Sequence, residues 1–92
     1  MTAYVDPAVF TKPRGRKCYC HLAADSVAEL HAFALHIGLG RHFFHAGANH
    51  VHYDVPEELR RVAIAAGAVE ISSRALVRLA RPVRRESAAT TY

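Results

Sequence analysis

Residues 18–38 read CYCHLAADSVAELHAFALHIG, and this stretch decides the fold class. Its opening CYCHL is typical of a short strand, because it contains an aromatic residue and no strand breaker. Ser26 and Glu29 then form an S-x-x-E capping box, and apolar residues recur at helical spacing until Gly38. The stretch therefore predicts a strand followed directly by a helix over residues 26–37.

The flanking segments add further elements on both sides of this unit. Residues 2–5 read as a short strand that ends before Asp6-Pro7, because proline cannot donate to a continuing ladder. Residues 39–53 show no sustained period, so we expect a loop there with one helical turn near Arg41.

The C-terminal half predicts two more helices and another strand. Asp54 is the expected N-cap of a second helix that ends at Gly67, with Pro56 near its first turn. A short strand at residues 68–71 follows, and a third helix, capped by a serine at 72 or 73, ends before Pro82.

This order of elements predicts an α/β fold. A strand–helix–strand connection favours a parallel pair, so the strand near residue 70 should lie beside an N-terminal strand. We expect a small three-stranded mixed sheet packed by about three helices, forming a single domain over residues 1–81. Residues 82–92 are expected to be a flexible C-terminal tail.

The chain is basic and rich in histidine. Its 92 residues include 12 Lys and Arg, 8 Asp and Glu and 7 His, which gives a formal net charge of +4 and a pI of about 9.5. Nine of the 12 cations fall in the segments 12–17 and 74–85. Such clusters favour an anionic partner, either nucleic acid or a nucleotide.

Cysteine usage and hydropathy predict the cellular location of the protein. Cys18 and Cys20 are too close along a strand for an easy disulfide and too few for a zinc ribbon, so we expect reduced, buried thiols. No apolar run approaches the ~20 residues that span a bilayer, and the N-terminus lacks the features of a signal peptide. We therefore expect a cytoplasmic protein with no membrane partner, and the small alanine-rich core leaves a homo-oligomer open.

Several blocks, taken in order, resemble one family. They are YVD at 4–6, CHLAADSVAELHAFALHIGL at 20–39, RHFF at 41–44, HYDVP at 52–56 and GAVEISSRALVR at 67–78. The chain is similar here to the small bacterial and phage family catalogued as domain of unknown function 4031. The resemblance implies an intracellular single α/β domain and supplies no reaction. Phe43 stands where the family usually has Trp, and AGANHV before HYD resembles an insertion.

Acids, imidazoles and guanidiniums lie where this topology can bring them to one pocket. Ligands of open α/β sheets gather outside the carboxyl ends of the strands. We expect a site for an anionic ligand, a nucleotide or a nucleic-acid phosphate, built from Asp6, His21, Arg41, His52, Tyr53, Asp54 and Arg74.

Two other functions remain open. In the first, Asp6, His52 and Asp54 hold a divalent metal and His21 moves a proton, as in a metal-dependent phosphoesterase or nuclease. In the second, the chain is a non-catalytic assembly module, because a small alanine-rich core can need a partner surface. The structural alternative to either site is that Asp6 and Asp54 only cap a turn and a helix. The sequence contains no Walker loop, no G-x-S-x-G and no H-E-x-x-H motif, so the common nucleotide-binding and hydrolase classes are not indicated.

Two repeated patterns have both a functional and a structural interpretation. His50 and His52 are spaced to share one side of an extended segment, where they can chelate a metal or simply contact water. Arginines at 74, 78, 81 and 85 have the spacing of one side of a helix, where they can follow phosphates or form a solvated surface, but the helical period is expected to fail at Pro82.

Overall fold

The computed structural model describes residues 2–7, 10–11, 18–46 and 51–80. These ranges contain the strands β1 (Ala3–Val5), β2 (Phe10–Thr11), β3 (Cys18–Ala24), β4 (Phe44–His45), β5 (His52–Pro56) and β6 (Val69–Glu70). The helices are α1 (Val27–His36), α2 (Glu57–Ala65) and α3, which is described over 73–80, and a 3-10 turn covers Arg41–Phe43. The predicted tail 82–92, the basic segment 12–17, His50 and the arginines at 81 and 85 lie outside the described residues.

The strands form one mixed sheet in the order β4-β5-β3-β1-β6, and β2 also pairs with β3. The parallel pairing of β1 with β6 confirms the expected neighbour of the strand near residue 70. The α/β class is therefore confirmed, but three strands is too few. Strand β4 and the first two residues of β5 lie in the segment 39–53 that was expected to be a loop, and the rest of β5 lies where the second helix was expected to begin. Strand β2 precedes the basic segment 12–17.

Strand β5 forms because the sequence VHYDVP alternates between apolar and polar residues. Val51, Tyr53 and Val55 are buried on one side, and the residues between them face the other side. The prediction that Asp54 caps α2 is therefore wrong, since Asp54 is a buried residue within the strand. Pro56 ends the strand and is the N-cap residue of α2.

Helix α1 confirms the helix predicted over residues 26–37. The Ser26 hydroxyl accepts a hydrogen bond from the backbone N–H of Glu29 at 3.1 Å, and the Glu29 carboxylate accepts from that hydroxyl at 3.2 Å. Gly38 follows with φ of +79°, a left-handed conformation that ends a helix at little cost only in glycine.

Loss of this cap should be measurable. We expect Ser26→Ala to lower the free energy of unfolding by about 1 kcal/mol, because one backbone N–H of the first turn loses its acceptor. Urea unfolding followed by circular dichroism measures the change. Ser26→Asp retains an acceptor and should stay close to the wild type; equal losses in both variants would contradict the capping role.

The sheet has two different faces. The first face packs against α1 and α2. The core between them includes Val5, Cys20, Leu22, Tyr53 and Val55 from the sheet, Leu30 from α1 and Ala63 from α2. The second face packs against α3, where Leu76 and Ala80 contact Ala23. Within the described residues, no helix is long and apolar enough to cross a membrane.

Candidate functional site

Asp6 is buried at the end of β1, with only 1% of its surface exposed. Its Oδ1 accepts the backbone N–H of His21 at 2.6 Å, and its Oδ2 lies 2.7 Å from His21 Nδ1. The same Oδ2 accepts a hydrogen bond from the Ser73 hydroxyl at 2.8 Å, and the backbone oxygen of Asp6 accepts from Arg60 Nε at 2.9 Å. This one carboxylate fixes the ring of His21 and ties β1 and β3 to the first turn of α3.

Hydrogen bonding keeps the Asp6 carboxylate ionised. Burial acts to raise the pKa of Asp6, but the hydrogen bonds from the His21 side chain, the His21 backbone and Ser73 outweigh it and lower the pKa below the usual 3.8. An ionised acceptor at Nδ1 favours the His21 tautomer that carries its proton there. In that tautomer Nε2 is the nitrogen with a lone pair to offer to a ligand.

The lowered pKa of Asp6 predicts an acid-sensitive fold. Because the pKa in the folded state lies below the unfolded value, this carboxylate stabilises the protein above about pH 4 and the stabilisation is lost as pH falls further. We expect the difference in unfolding free energy between wild type and Asp6→Asn to shrink between about pH 5 and pH 2. Asp25→Asn, which changes an exposed carboxylate, is measured over the same pH range as the comparison. A constant difference for Asp6→Asn would contradict the prediction.

Three side chains that can bind a metal converge on the second face. Potential ligand atoms of His21, His52 and Asp54 all lie within 4.8 Å of one another. His21 and Asp54 are direct partners in the β3–β5 register, and His52 precedes Asp54 by two residues on the same side of β5. His52 Nε2 lies 3.3 Å from Asp54 Oδ1, and the His21 and His52 rings meet edge to face with centroids 4.8 Å apart. We call these three residues the His/Asp cluster.

A fourth residue, His45, borders the His/Asp cluster and was missed in the sequence. Its Nε2 lies 2.8 Å from Asp54 Oδ2, and its ring stacks on that of His52 with centroids 5.4 Å apart. His45 is 46% exposed, whereas His52 and Asp54 are buried. The register of β4 with β5 sets His45 opposite His52, so only the recognition of β5 as a strand could have revealed it.

The seven residues predicted for one pocket divide between the two faces of the sheet. Asp6, His21, His52 and Asp54 come together on the second face. Tyr53 points to the first face, where its hydroxyl lies 2.7 Å from Nδ1 of His31 on α1. Successive residues of a strand face opposite sides, so Tyr53 is separated from both its neighbours.

Both predicted arginines lie outside the His/Asp cluster. Arg41 lies near Tyr53 on the first face, where both residues line one cavity. Arg74 follows Ser73 at the start of α3 and, with Ser73, Val77 and Arg78, lines a cavity of about 500 Å³. Arg41 and Tyr53 therefore lie apart from the four predicted residues that come together, while Arg74 lies beside Ser73, which contacts Asp6.

The roles of the two serines and the two cysteines are also defined. Ser72 accepts the backbone N–H of Ala75 at 3.1 Å and so caps α3, which leaves the Ser73 hydroxyl to donate to Asp6. Both cysteines are free, and Cys20 is buried on the face opposite His21, so Cys20 and His21 do not bind one metal ion together. Burial and the nearby charge of Asp6 raise the pKa of Cys20 to about 12, which keeps it a thiol.

Two imidazoles and a carboxylate are a donor set for a transition metal. Zinc, manganese and ferrous iron accept such mixed nitrogen and oxygen ligands, whereas magnesium prefers oxygen. Tetrahedral ligands at about 2.1 Å from an ion are about 3.4 Å apart, so a cluster that spans up to 4.8 Å must contract by about 1.4 Å at its widest. Asp6 takes no part in this set, in contrast to the predicted trio Asp6, His52 and Asp54, because its Oδ2 engages His21 and Ser73.

Fold and site together define a small mixed α/β domain with a buried histidine–aspartate centre on one sheet face. A family model described as "Protein of unknown function (DUF4031)" matches residues 3–83, and the chain belongs to this family. No curated protein and no solved structure matches the chain. The matched range includes every residue of the His/Asp cluster together with Asp6 and Ser73.

Proposed function

We propose that this protein is a metal-dependent phosphoesterase in which His21, His52 and Asp54 hold a divalent transition metal. The observation that carries the proposal is the convergence of these three side chains within 4.8 Å, with Asp6 fixed behind His21. A carboxylate on the far nitrogen of a histidine is the usual support of a histidine that binds a metal, because it sets the tautomer and the ring orientation.

The charge around the cluster supports a phosphate ester as the substrate class. Arg74 and Arg78 line the cavity beside Ser73, and guanidinium groups bind phosphate oxygens in bidentate fashion. The Ser73 hydroxyl links this cavity to the His/Asp cluster through Asp6. We therefore propose that the ester is part of a nucleotide or a nucleic acid, with its non-reacting oxygens on the arginines.

The proposed reaction is hydrolysis. A water oxygen forms a bond to phosphorus, the bond from phosphorus to the ester oxygen breaks, and a proton from the water reaches the departing oxygen. A bound divalent metal lowers the pKa of its water toward ~7 and neutralises charge on the phosphate. Asp6 holds His21 in its binding orientation, and Arg74 positions the substrate.

A metal-free binding domain for an anionic ligand is the second candidate. The cavity at Arg74 and Arg78 favours it, because two guanidiniums bind a phosphate without an ion. In this case the imidazoles of the His/Asp cluster would only maintain the second face of the sheet.

Calorimetric titration of metal-depleted protein with Zn²⁺, Mn²⁺ and Mg²⁺ tests the first proposal. We expect one equivalent of Zn²⁺ or Mn²⁺ to bind, Mg²⁺ to bind at least about tenfold more weakly, and hydrolysis of bis(p-nitrophenyl) phosphate only in the loaded protein. Arg74→Gln should raise KM about tenfold, and Arg61→Gln, on the exposed side of α2, is the matched control.

Measurements on the same samples distinguish the metal-dependent esterase from the metal-free anion-binding domain. Stoichiometric metal without hydrolysis of mono- or diesters would contradict the esterase. Binding of AMP to metal-free protein, weakened by salt and by Arg74→Gln, would favour the anion-binding domain. If neither metal nor AMP binds, both candidates are wrong.

A further inference from the structure

The first face of the sheet carries a separate opening, where α1 meets the turn Arg41–Phe43. Its cavity measures about 420 Å³ and is lined by His31, Leu35, Leu39, Gly40, Arg41 and Tyr53. A volume of this size is within the range of small-molecule sites. Since the His/Asp cluster lies on the other face, this opening is independent of the function proposed above.

The floor of the opening, formed by Tyr53 and His31, is polar and uncharged. Tyr53 is 1% exposed, and its hydroxyl lies 2.7 Å from His31 Nδ1. Burial, with Arg41 nearby, lowers the pKa of His31, and burial raises the pKa of Tyr53 despite the opposing effect of Arg41. At neutral pH a neutral phenol and a neutral imidazole therefore share this hydrogen bond.

Aromatic packing holds this floor in place. The ring of Phe44 meets that of His31 with centroids 4.6 Å apart and that of Tyr53 at 5.2 Å. A Cβ at Gly40 would lie 2.6 Å from the exposed His42 ring, which would have to move. These ring contacts order the two polar side chains at the base of the opening.

The wall of the opening is apolar and its mouth carries a positive charge, whereas its floor is polar and uncharged. Leu35 is 80% exposed, although it is a large aliphatic residue, and Leu39 is buried below it. Arg41 is exposed at the mouth and, among the lining residues that the structure describes, is the only one charged at neutral pH. An apolar wall with one cation is suited to a ligand that has an apolar body and a single negative group.

We infer that this opening binds a small aromatic carboxylate, with its ring against Leu35 and Leu39 and its carboxylate on the Arg41 guanidinium. The two parts of the ligand are recognised separately. The ring removes exposed Leu35 surface from water, and the carboxylate binds the guanidinium of the exposed Arg41.

Titration with benzoate, followed by NMR of the His31 and Tyr53 rings, tests the inference. We expect saturable shifts of both rings with Kd on the order of 1–10 mM, as ligand efficiency predicts for a molecule of this size. Acetate lacks the ring and benzyl alcohol lacks the charge, so each should bind about tenfold more weakly.

Two variants at exposed positions make the test specific. Arg41→Gln should weaken benzoate binding about tenfold and leave benzyl alcohol unchanged, while Arg61→Gln, remote from the opening, should change neither. Leu35→Glu puts a negative charge on the wall and should abolish benzoate binding. Because both side chains are exposed, thermal melts should remain cooperative in these variants.

Three results would overturn the inference. They are the absence of shifts at His31 and Tyr53 up to about 50 mM benzoate, equal affinity in wild type and Arg41→Gln, and shifts confined to His21 and His52. The last result would assign the binding to the second face of the sheet instead.

Discussion

Replacing Asp6 by asparagine is expected to weaken zinc binding by about 10–100-fold and to lower the free energy of unfolding by about 2–4 kcal/mol. The amide can still accept the backbone N–H of His21, but it no longer offers an ionised oxygen to His21 Nδ1 and Ser73. When its NH2 group faces Nδ1, the amide favours the tautomer with a proton on Nε2, which blocks the nitrogen proposed to bind the metal.

Ser73→Ala is the matched control for this substitution. It removes one hydrogen bond from the same carboxylate and leaves the contact with His21 intact, so we expect a loss of about 1 kcal/mol and nearly unchanged zinc affinity. Urea unfolding and calorimetry measure both quantities. If Ser73→Ala weakened zinc binding as much as Asp6→Asn, the role of Asp6 would be general support of the fold and not orientation of His21.

Replacing Asp54 by asparagine should have the second large effect, a loss of at least about 100-fold in zinc affinity. The substitution removes the only carboxylate of the His/Asp cluster, and an amide oxygen is a much poorer ligand than a carboxylate. It also removes the charged partner of His45 and His52, with oxygen–nitrogen distances of 2.8 and 3.3 Å.

Tyr53→Phe provides a stringent control, because it changes the residue next to Asp54 on the same strand. The Tyr53 hydroxyl is hydrogen-bonded to His31 on the first face. We therefore expect Tyr53→Phe to leave the zinc affinity unchanged and to lower the free energy of unfolding by about 1–2 kcal/mol. Zinc binding that survives in Asp54→Asn, or falls in Tyr53→Phe, would place the metal elsewhere.

Local sequence signals predicted the elements whose boundaries depend on local chemistry. The capping box at Ser26 and the positive-φ glycine at 38 define α1, because a helix end is set by a few neighbouring groups. The parallel neighbour of β6 also followed from the order of elements, since a helix between two strands favours this connection. The family resemblance is likewise confirmed by the match over residues 3–83.

The candidate site was predicted only in part, because its geometry depends on one strand that was not recognised. Asp54 precedes a proline and two glutamates, which is also the pattern of a helix start, and this local interpretation outweighed the alternation of VHYDV. In a strand, neighbouring side chains point to opposite faces, so Tyr53 and Asp54 lie on different faces of the sheet. The pairing of β5 with β4 also brings His45 next to the His/Asp cluster. The pairing of strands that are distant in sequence cannot be predicted from a short window of residues.

The brevity of the outer strands has a consequence for behaviour at high concentration. At the two ends of the described strand order lie β4 and β6, and each is only two residues long. Edge strands this short present few unpaired amide and carbonyl groups to another molecule, so they are poor templates for amyloid-like strand addition.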